Sequence, residues 1–468
     1  MNLNGIKWYS LFCFAIILLA FLSCTKDWPE APVEITRPEI ISVSPDMWEF
    51  MVSTSTSISI TFNEQMDLET IRDHASIMDA DGNTVNGSWS SNGSTAIFTP
   101  SANLSMLSRY DVMIEGAYDE DQEWKGPGPQ DVHGNSLYED FTSHFATEGN
   151  YGASPIYVSA APNLGDWSEI GRITDFEVET LGGFDAAQGI ALNSDGSYLY
   201  VADRGGNAVM AVETAGFSID GTVALPDSVE EPWIVGVTPN DNEVWALCRG
   251  TNHLVIIGTG TNTITNVIPL NGYCPNGGFL YRIAFSHDGS KAYITTRLSQ
   301  SVLKINTATY EVETEKVIGE AAHIAEVTVS PDDAKVYVSN TWGLEPSIFV
   351  LDASADMPVI GTIDLPEEWG DAKKFTTYDN YLFVGMRWDA MIYKIDMTTD
   401  QVIGWTGWPD DWLGDWSDSE NIAIDPEGEV IYQLCPDRGE TAVFGTEELN
   451  FLGFIDTGTW WGIVSPQP

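Results

Sequence analysis

Between Gly189 and Glu213 the chain reads GIALNSDGSYLYVADRGGNAVMAVE. A short apolar run, Gly189–Leu192, leads into a polar turn, Asn193–Gly196. Two runs that alternate apolar and polar follow, Tyr198–Ala202 and Ala208–Val212, with a second turn at Asp203–Asn207. Period-two alternation joined by tight Gly/Asp/Asn turns predicts antiparallel strands. The pattern returns in VGVTPNDNEVWALCRGTNHLVII, IAFSHDGSKAYITTRLSQSVLKI, VTVSPDDAKVYVSNTWGLEPSIFVL, FTTYDNYLFVGMRWDAMIYKI and IAIDPEGEVIYQLCPDRGETAVF. The matching turn residues, Ser194, Pro239, His287, Pro331, Tyr378 and Pro426, are 44 to 48 residues apart. A repeat of about 40–50 residues with four strands each predicts β-propeller blades.

The end of the chain, Trp461–Pro468 (WGIVSPQP), matches the first strand and turn of a further unit. Its second strand is found near the start of the repeat region, in Pro155–Ser159 (PIYVS), with Ile170–Thr174 and Phe176–Leu181 as the remaining two. A seventh blade assembled from both ends would close the ring and remove the open sheet edges. The units resemble the YVTN family of seven-bladed propellers, with YLYVAD, KVYVSN and the SPDG-like turns carrying the likeness over residues 149–468. That resemblance implies a fold; propellers of this kind include binders, scaffolds and some enzymes.

Upstream, residues 37–148 hold shorter alternating runs, ISVSP, SISITF, STAIFTP, YDVMIEG and FTSHFAT, separated by turns. With TFNEQMD (61–67), DADGN (79–83), FTP (98–100) and DVHGNSL (131–137), the segment resembles the bacterial Ig-like domain of surface-layer proteins, which implies a spacer. Asp79 and Asp81 have the look of a calcium loop, but their spacing suits a hairpin turn better. The expected fold is therefore all-β: an Ig-like β-sandwich followed by a seven-bladed β-propeller closed by N- and C-terminal strands.

Residues 1–23 begin with Lys7 and carry the apolar run Leu11–Leu22, too short to span a bilayer and of the right length for a signal peptide. Leu22-Ser23-Cys24 resembles a bacterial lipoprotein signal, which implies lipidation of Cys24. Thr25-Lys26-Asp27 resembles the export tag of Bacteroidetes-type surface lipoproteins. Residues 24–36, with Pro29 and Pro32, suit a tether. The implied location is the outer membrane, at the cell surface.

Charge changes the picture next. The chain has 69 acidic and 20 basic residues among 468, a formal charge of −49. Such a surface repels polyphosphate, so nucleic acid is not an expected partner. Cys248 and Cys274 could form a disulfide, and Cys435 reads as a buried thiol.

Against that acidic background, the arginines stand out. Four residues after the aromatic that opens each second strand lie Arg204, Arg249, Arg297 and Arg387, and Arg438 is displaced by two in the sixth unit. The chain has only ten arginines. The loops on the same side, those that face a propeller's central funnel, hold Trp233, Trp342, Trp369, Trp388, Trp412, Trp416, Trp460 and Trp461, with Tyr281 and Phe184 in equivalent places. The longest of these loops, Gly407–Glu420, could overhang the funnel as a lid. Guanidinium groups donate bidentate hydrogen bonds to carboxylates, phosphates and amides, and indoles offer flat apolar platforms. Two readings are open: a pocket for a large polar ligand, or inter-blade ion pairs with acids such as Asp185, Glu231, Glu326 and Glu420.

No CxxCH, GxSxG, HExxH or phosphate loop is present. No cofactor, resident metal or catalytic residue is expected, and the chain is expected not to be an enzyme. The enzymatic alternative is a metal-dependent, lactonase-like hydrolase, with Glu231, His323, Glu326 and Glu420 as candidate ligands. The family resemblance implies nutrient capture beside a TonB-dependent transporter, with a corrinoid or a glycan as ligand. A structural or protein-interaction module of the envelope is the competing class.

Overall fold

The computed structural model describes residues 36–118, 123–149, 154–160, 168–174, 177–319, 324–341, 346–366, 372–387, 391–407, 421–435, 439–447, 449–456 and 460–464. They fall into two compact units. One holds the residues before 48 together with 55–103 and 110–144; the other holds 48–54, 104–109 and everything from 145 onward.

The first architecture along the chain is a sandwich of two four-stranded sheets. One sheet runs Ile40–Ser44, Ile58–Phe62, Thr95–Pro100, Gly87–Asn92; the other runs Glu49–Val52, Phe141–Thr147, Arg109–Ile114, Ala75–Asp79. The alternation in SISITF puts Ile58, Ile60 and Phe62 inside. A single short α-helix among the described residues, Leu68–His74, starts at Asp67, whose carboxylate accepts from the Glu69 amide at 3.0 Å. DADGN is a turn, as expected. Asp79 accepts from the Asp81 and Asn83 amides at 3.2 and 2.7 Å, and Gly82 takes the left-handed φ of 77° that the turn needs. DVHGN repeats the device: Asp131 accepts from the His133 and Asn135 amides at 2.7 and 2.9 Å.

The propeller consists of seven four-stranded antiparallel sheets. Their innermost strands are Ala187–Leu192, Pro232–Val237, Phe279–Phe285, Ile324–Val329, Ala372–Tyr378, Ile422–Ile424 and Trp460–Val464. Each touches the next, and the last touches the first, so the ring is closed. The closing blade is built as the sequence predicts. The C-terminal strand Trp460–Val464 lies innermost, followed by Ile156–Ala160, Glu169–Thr174 and Glu177–Gly182, with Ile463 opposite Val158 and Val464 opposite Tyr157.

Middle strands differ from the alternating expectation. Tyr198–Asp203 and Ala208–Glu213 are buried at nearly every position because each blade is packed between two others. Only the outermost strands, such as Thr263–Pro269, alternate exposed and half-buried. The aromatics that open the second strands, Tyr157, Tyr200, Trp245, Tyr293, Tyr337, Phe383 and Tyr432, are all buried and fill the spaces between blades.

Part of the acidity laces blades together. Asp241 accepts from the Ser194 amide one blade earlier at 2.9 Å, and Asp333 accepts from the His287 and Asp288 amides at 2.7 and 2.9 Å. Lys304 and Lys394, at one position of two third strands, donate to Ala353 O at 2.6 Å and Thr446 O at 2.8 Å in the following blades.

Candidate functional site: an arginine–aromatic ladder at the mouth of the channel

Arg204 and Arg249 immediately follow the second strands of the first two blades, and Arg297 is the last residue of the equivalent strand in the third. Their registers agree. The Arg204 amide donates to Ala186 O at 2.8 Å, the Arg249 amide donates to Glu231 O at 2.8 Å, and Arg297 pairs with Phe279. The shared position follows from equal strand lengths after the buried aromatic. It directs three guanidinium groups to one end of neighbouring innermost strands.

Aromatic rings alternate with them. The Arg204 and Arg249 guanidinium carbons lie 5.6 and 4.7 Å from the Trp233 ring centre. Arg249 also lies 3.9 Å from the Phe279 ring, and Arg297 lies 5.0 Å from the Tyr281 ring. Phe279 and Tyr281 stand edge-on at 6.1 Å. Trp233 and Tyr281 occupy matching places in their innermost strands, so this is one ladder across three blades. Each such contact contributes on the order of 0.5–2 kcal/mol.

Arg204 also donates to Glu231 at 2.8 Å, beside Asp185 in a shallow cleft. Arg204 is thus ion-paired between blades, whereas Arg249 and Arg297 are held by ring faces. Burial lowers the Arg249 pKa; Glu231 opposes that shift, and Arg204 and Arg297 add to it. The three cations thus sense one another, a concentration of positive charge on a protein with a formal charge of −49.

Deeper in the channel lies a group that sequence reasoning largely missed. Arg282, Glu326 and Lys374 occupy the same register position of three successive innermost strands. Arg282 Nε donates to Glu326 Oε2 at 3.0 Å, and Lys374 Nζ lies 3.6 Å from that oxygen. Arg282 also stacks on Tyr281, with its guanidinium carbon 4.4 Å from the ring centre, which joins the buried cluster to the ladder. The channel-facing placement of Glu326 was expected; its two cationic partners were not. The available signal was the recurrence of Arg, Glu and Lys at one repeat position.

The other candidate residues fare differently. Arg387 follows its strand at the expected register. Arg438, Trp342, Trp369, Trp388, Trp412, Trp416, His323, Glu420, Cys24 and the whole leader lie outside the described residues, as do the side chains of Trp460 and Trp461. Phe184 is not at the mouth: it is 3% exposed and packs with Leu199, Val201 and Phe217 in the core.

The disulfide is corrected. Cys248 and Cys274 are free and buried. Along Glu243–Cys248 the side chains of Val244, Ala246 and Cys248 pack on one face of the sheet, while Trp245 and Leu247 pack on the other, where Cys274 lies. The two sulfurs therefore belong to different inter-blade cores. Burial pushes both thiols up to about 12. Cys435 is also a free buried thiol, as expected.

Among the described residues, a divalent metal does not fit Glu231 or Glu326. Glu231 is paired with Arg204, and Glu326 holds Arg282 and Lys374, so an ion there would meet three cations. In the Ig-like unit, Glu64, Asp131 and His133 bring ligand atoms within 4.8 Å of one another. Asp131 already serves its turn, with Oδ1 accepting two amides and Oδ2 accepting Asn135 Nδ2 at 2.7 Å.

Comparison with known proteins places both architectures. Residues 34–147 match the family model of the bacterial Ig-like domain. The periplasmic gluconolactonase of Pseudomonas aeruginosa is similar in structure, at 11% identity over 66% of this chain and 98% of that chain, with a TM-score of 0.53. A proposed 6-phosphogluconolactonase of Bacteroides fragilis matches at 15% identity over 68% of this chain and 98% of that chain, with a TM-score of 0.53. Hydrazine synthase of Kuenenia stuttgartiensis matches at 15% identity over 60% of this chain and 90% of that chain, with a TM-score of 0.51. At these identities the likeness shows the propeller fold. Comparison with curated proteins gives no match. The expectation that the chain is not an enzyme is corrected here. Proteins described as gluconolactonases are built on this scaffold, so the missing hydrolase motifs exclude no hydrolase.

Proposed function

We propose that the channel mouth is a binding site for an anionic ligand of the acidic-sugar class. One observation carries this reading: Arg204, Arg249 and Arg297 converge at one register position and alternate with Trp233, Phe279 and Tyr281. Guanidinium edges left free by stacking donate to carboxylate oxygens, and ring faces take the apolar side of a sugar. The blades hold these groups in place before the ligand arrives, so little ordering entropy is lost on binding. In the same proposal the leader anchors the protein to the outer membrane through Cys24, the Ig-like unit acts as spacer, and the YVTN-like propeller captures nutrient for a TonB-dependent transporter. Corrinoids are the other ligand class.

A second reading, hydrolysis of a sugar lactone at this face, is favoured by the gluconolactonases among similar structures. A thermal-shift panel of D-gluconate, digalacturonate, maltose, cyanocobalamin and D-glucono-lactone tests the proposal. Stabilisation by an anionic member and none by maltose supports it; stabilisation by none of the anionic members refutes it. Base consumption with D-glucono-lactone above the spontaneous rate would establish the hydrolase.

A further inference from the structure

The buried channel cluster has more cationic than anionic groups and one polar atom left over. Arg282 and Lys374 bring two positive charges to the single carboxylate of Glu326. They line a narrow cavity of about 40 Å³ with Gln188, Gly189, Trp233 and Asn421 among its other walls. Gln188 is 2% exposed; its Nε2 reaches only Ala187 O, at 3.4 Å, and its Oε1 has no partner among the described residues. A buried acceptor without a donor is unfavourable, so an occupant with a hydroxyl or N–H to give would be favoured.

The cavity is not sealed. Lys374 keeps 25% of its side-chain surface, and Trp233 lines both the cavity and the ladder above it. The room suffices for a few atoms and not for a ring. What fits is the end of a ligand: a group with negative acceptor oxygens for Lys374 and Arg282, and a neighbouring donor for Gln188. Chloride or sulfate lacks the donor, and a metal cation is repelled.

We infer that the channel is a subsite for the carboxylate and adjacent hydroxyl of a 2-hydroxy acid, the remainder of which lies on the arginine–aromatic ladder. The inference rests on the ligand reading proposed for that face and names its substrate class: open-chain sugar acids, the products of lactone opening, in preference to neutral sugars. Burial lowers the Lys374 pKa, with Glu326 opposing, and a bound carboxylate would further favour the ammonium.

Calorimetric titration of the full chain with D-gluconate and with D-glucitol, which keeps the hydroxyls and lacks the charge, tests this. The wild type is expected to bind gluconate and not glucitol. Lys374→Met leaves the Arg282–Glu326 pair intact and should weaken gluconate binding about tenfold or more, Lys374→Arg less, and Gln188→Leu several-fold. Unchanged melting temperatures would show that the variants are folded. If Arg249→Ala abolishes gluconate binding while Lys374→Met and Gln188→Leu keep wild-type affinity, the channel subsite is overturned and the ladder stands. If the wild type binds gluconate and glucitol equally, or neither, the inference is overturned. Digalacturonate binding that still depends on Arg249 would then leave the ladder reading untouched.

Discussion

Replacing Glu326 by Gln removes the carboxylate that two channel cations share. Arg282 and Glu326 side chains are 8% and 5% exposed, so water cannot take over the lost interaction. Breaking a buried pair in this way costs about 3–5 kcal/mol, because a charge is left without its partner. The lower end applies. Glutamine keeps the shape and one acceptor oxygen, and Lys374 has a second way out. Burial already lowers its pKa and Glu326 opposes that shift; without the carboxylate the ammonium gives up its proton more readily. The folded variant then binds fewer protons than the unfolded chain, so its stability rises with pH. We expect a loss of about 3 kcal/mol near neutral pH, or about 4 °C in melting temperature for a unit of this size. The loss should shrink at about pH 9, approaching the titration range of lysine. Glu326→Gln/Lys374→Met should remove the pH dependence and leave most of the loss, because Arg282 still lacks its carboxylate. Thermal unfolding followed by near-UV circular dichroism at the two pH values gives the answer. A loss below about 1 kcal/mol, typical of an exposed pair, with no pH dependence would refute the reasoning.

Three further outcomes are expected. Asp425 is buried, and that burial outweighs the hydrogen bonds from Val430 and Glu429 and raises its carboxyl pKa from 3.8 to about 6. Its stabilising contribution is therefore full below the unfolded value and lost as pH rises through about 6; Asp425→Asn should abolish that decline, and equal slopes in both proteins would argue against it. At Gly189 an added Cβ would sit 2.7 Å from the Ile234 Cα and the Trp233 carbonyl oxygen of the next blade. Gly189→Ala should cost about 1–3 kcal/mol in denaturant unfolding, whereas an unchanged midpoint would mean that the innermost strands are not so tightly apposed. Finally, Cys248, Cys274 and Cys435 should titrate as thiols in denatured, unreduced protein and resist alkylation when folded; loss of the Cys248 and Cys274 thiols from that count would restore the disulfide.

The ring was legible because one physical requirement repeats. Every blade needs a buried aromatic at the start of its second strand and Gly/Asp turns on either side; the turns recur at 44 to 48 residues and the aromatics at 43 to 49. Closure was legible for the same reason, since WGIV and PIYVS each lacked a partner in sequence. Burial of the middle strands was less visible: AVMAVE reads as alternating until neighbouring blades cover its second face. At the mouth, Arg204, Arg249 and Arg297 could be found by counting from the aromatic. Trp233 and Tyr281 were found beside them, but their place inside innermost strands and the stacking of Arg249 on Phe279 were not legible. Arg282 and Lys374 were passed over because each strand offers only one or two charged residues, and the cluster exists only when three blades meet at the axis. The Cys248–Cys274 pairing failed for a related reason: closeness in sequence did not show that a sheet stands between the sulfurs.

The account's central claim is that the arginine–aromatic ladder binds an anionic ligand. Its most direct test is the melting temperature of the full chain and of Arg249→Ala, each with and without saturating D-gluconate or digalacturonate. A ligand at about 100 times its dissociation constant stabilises by about 2.7 kcal/mol. The expected result is a clear upward shift in the wild type for at least one of the two, falling with added salt, and none in Arg249→Ala. Equal shifts in both proteins, or none in either, would contradict the claim.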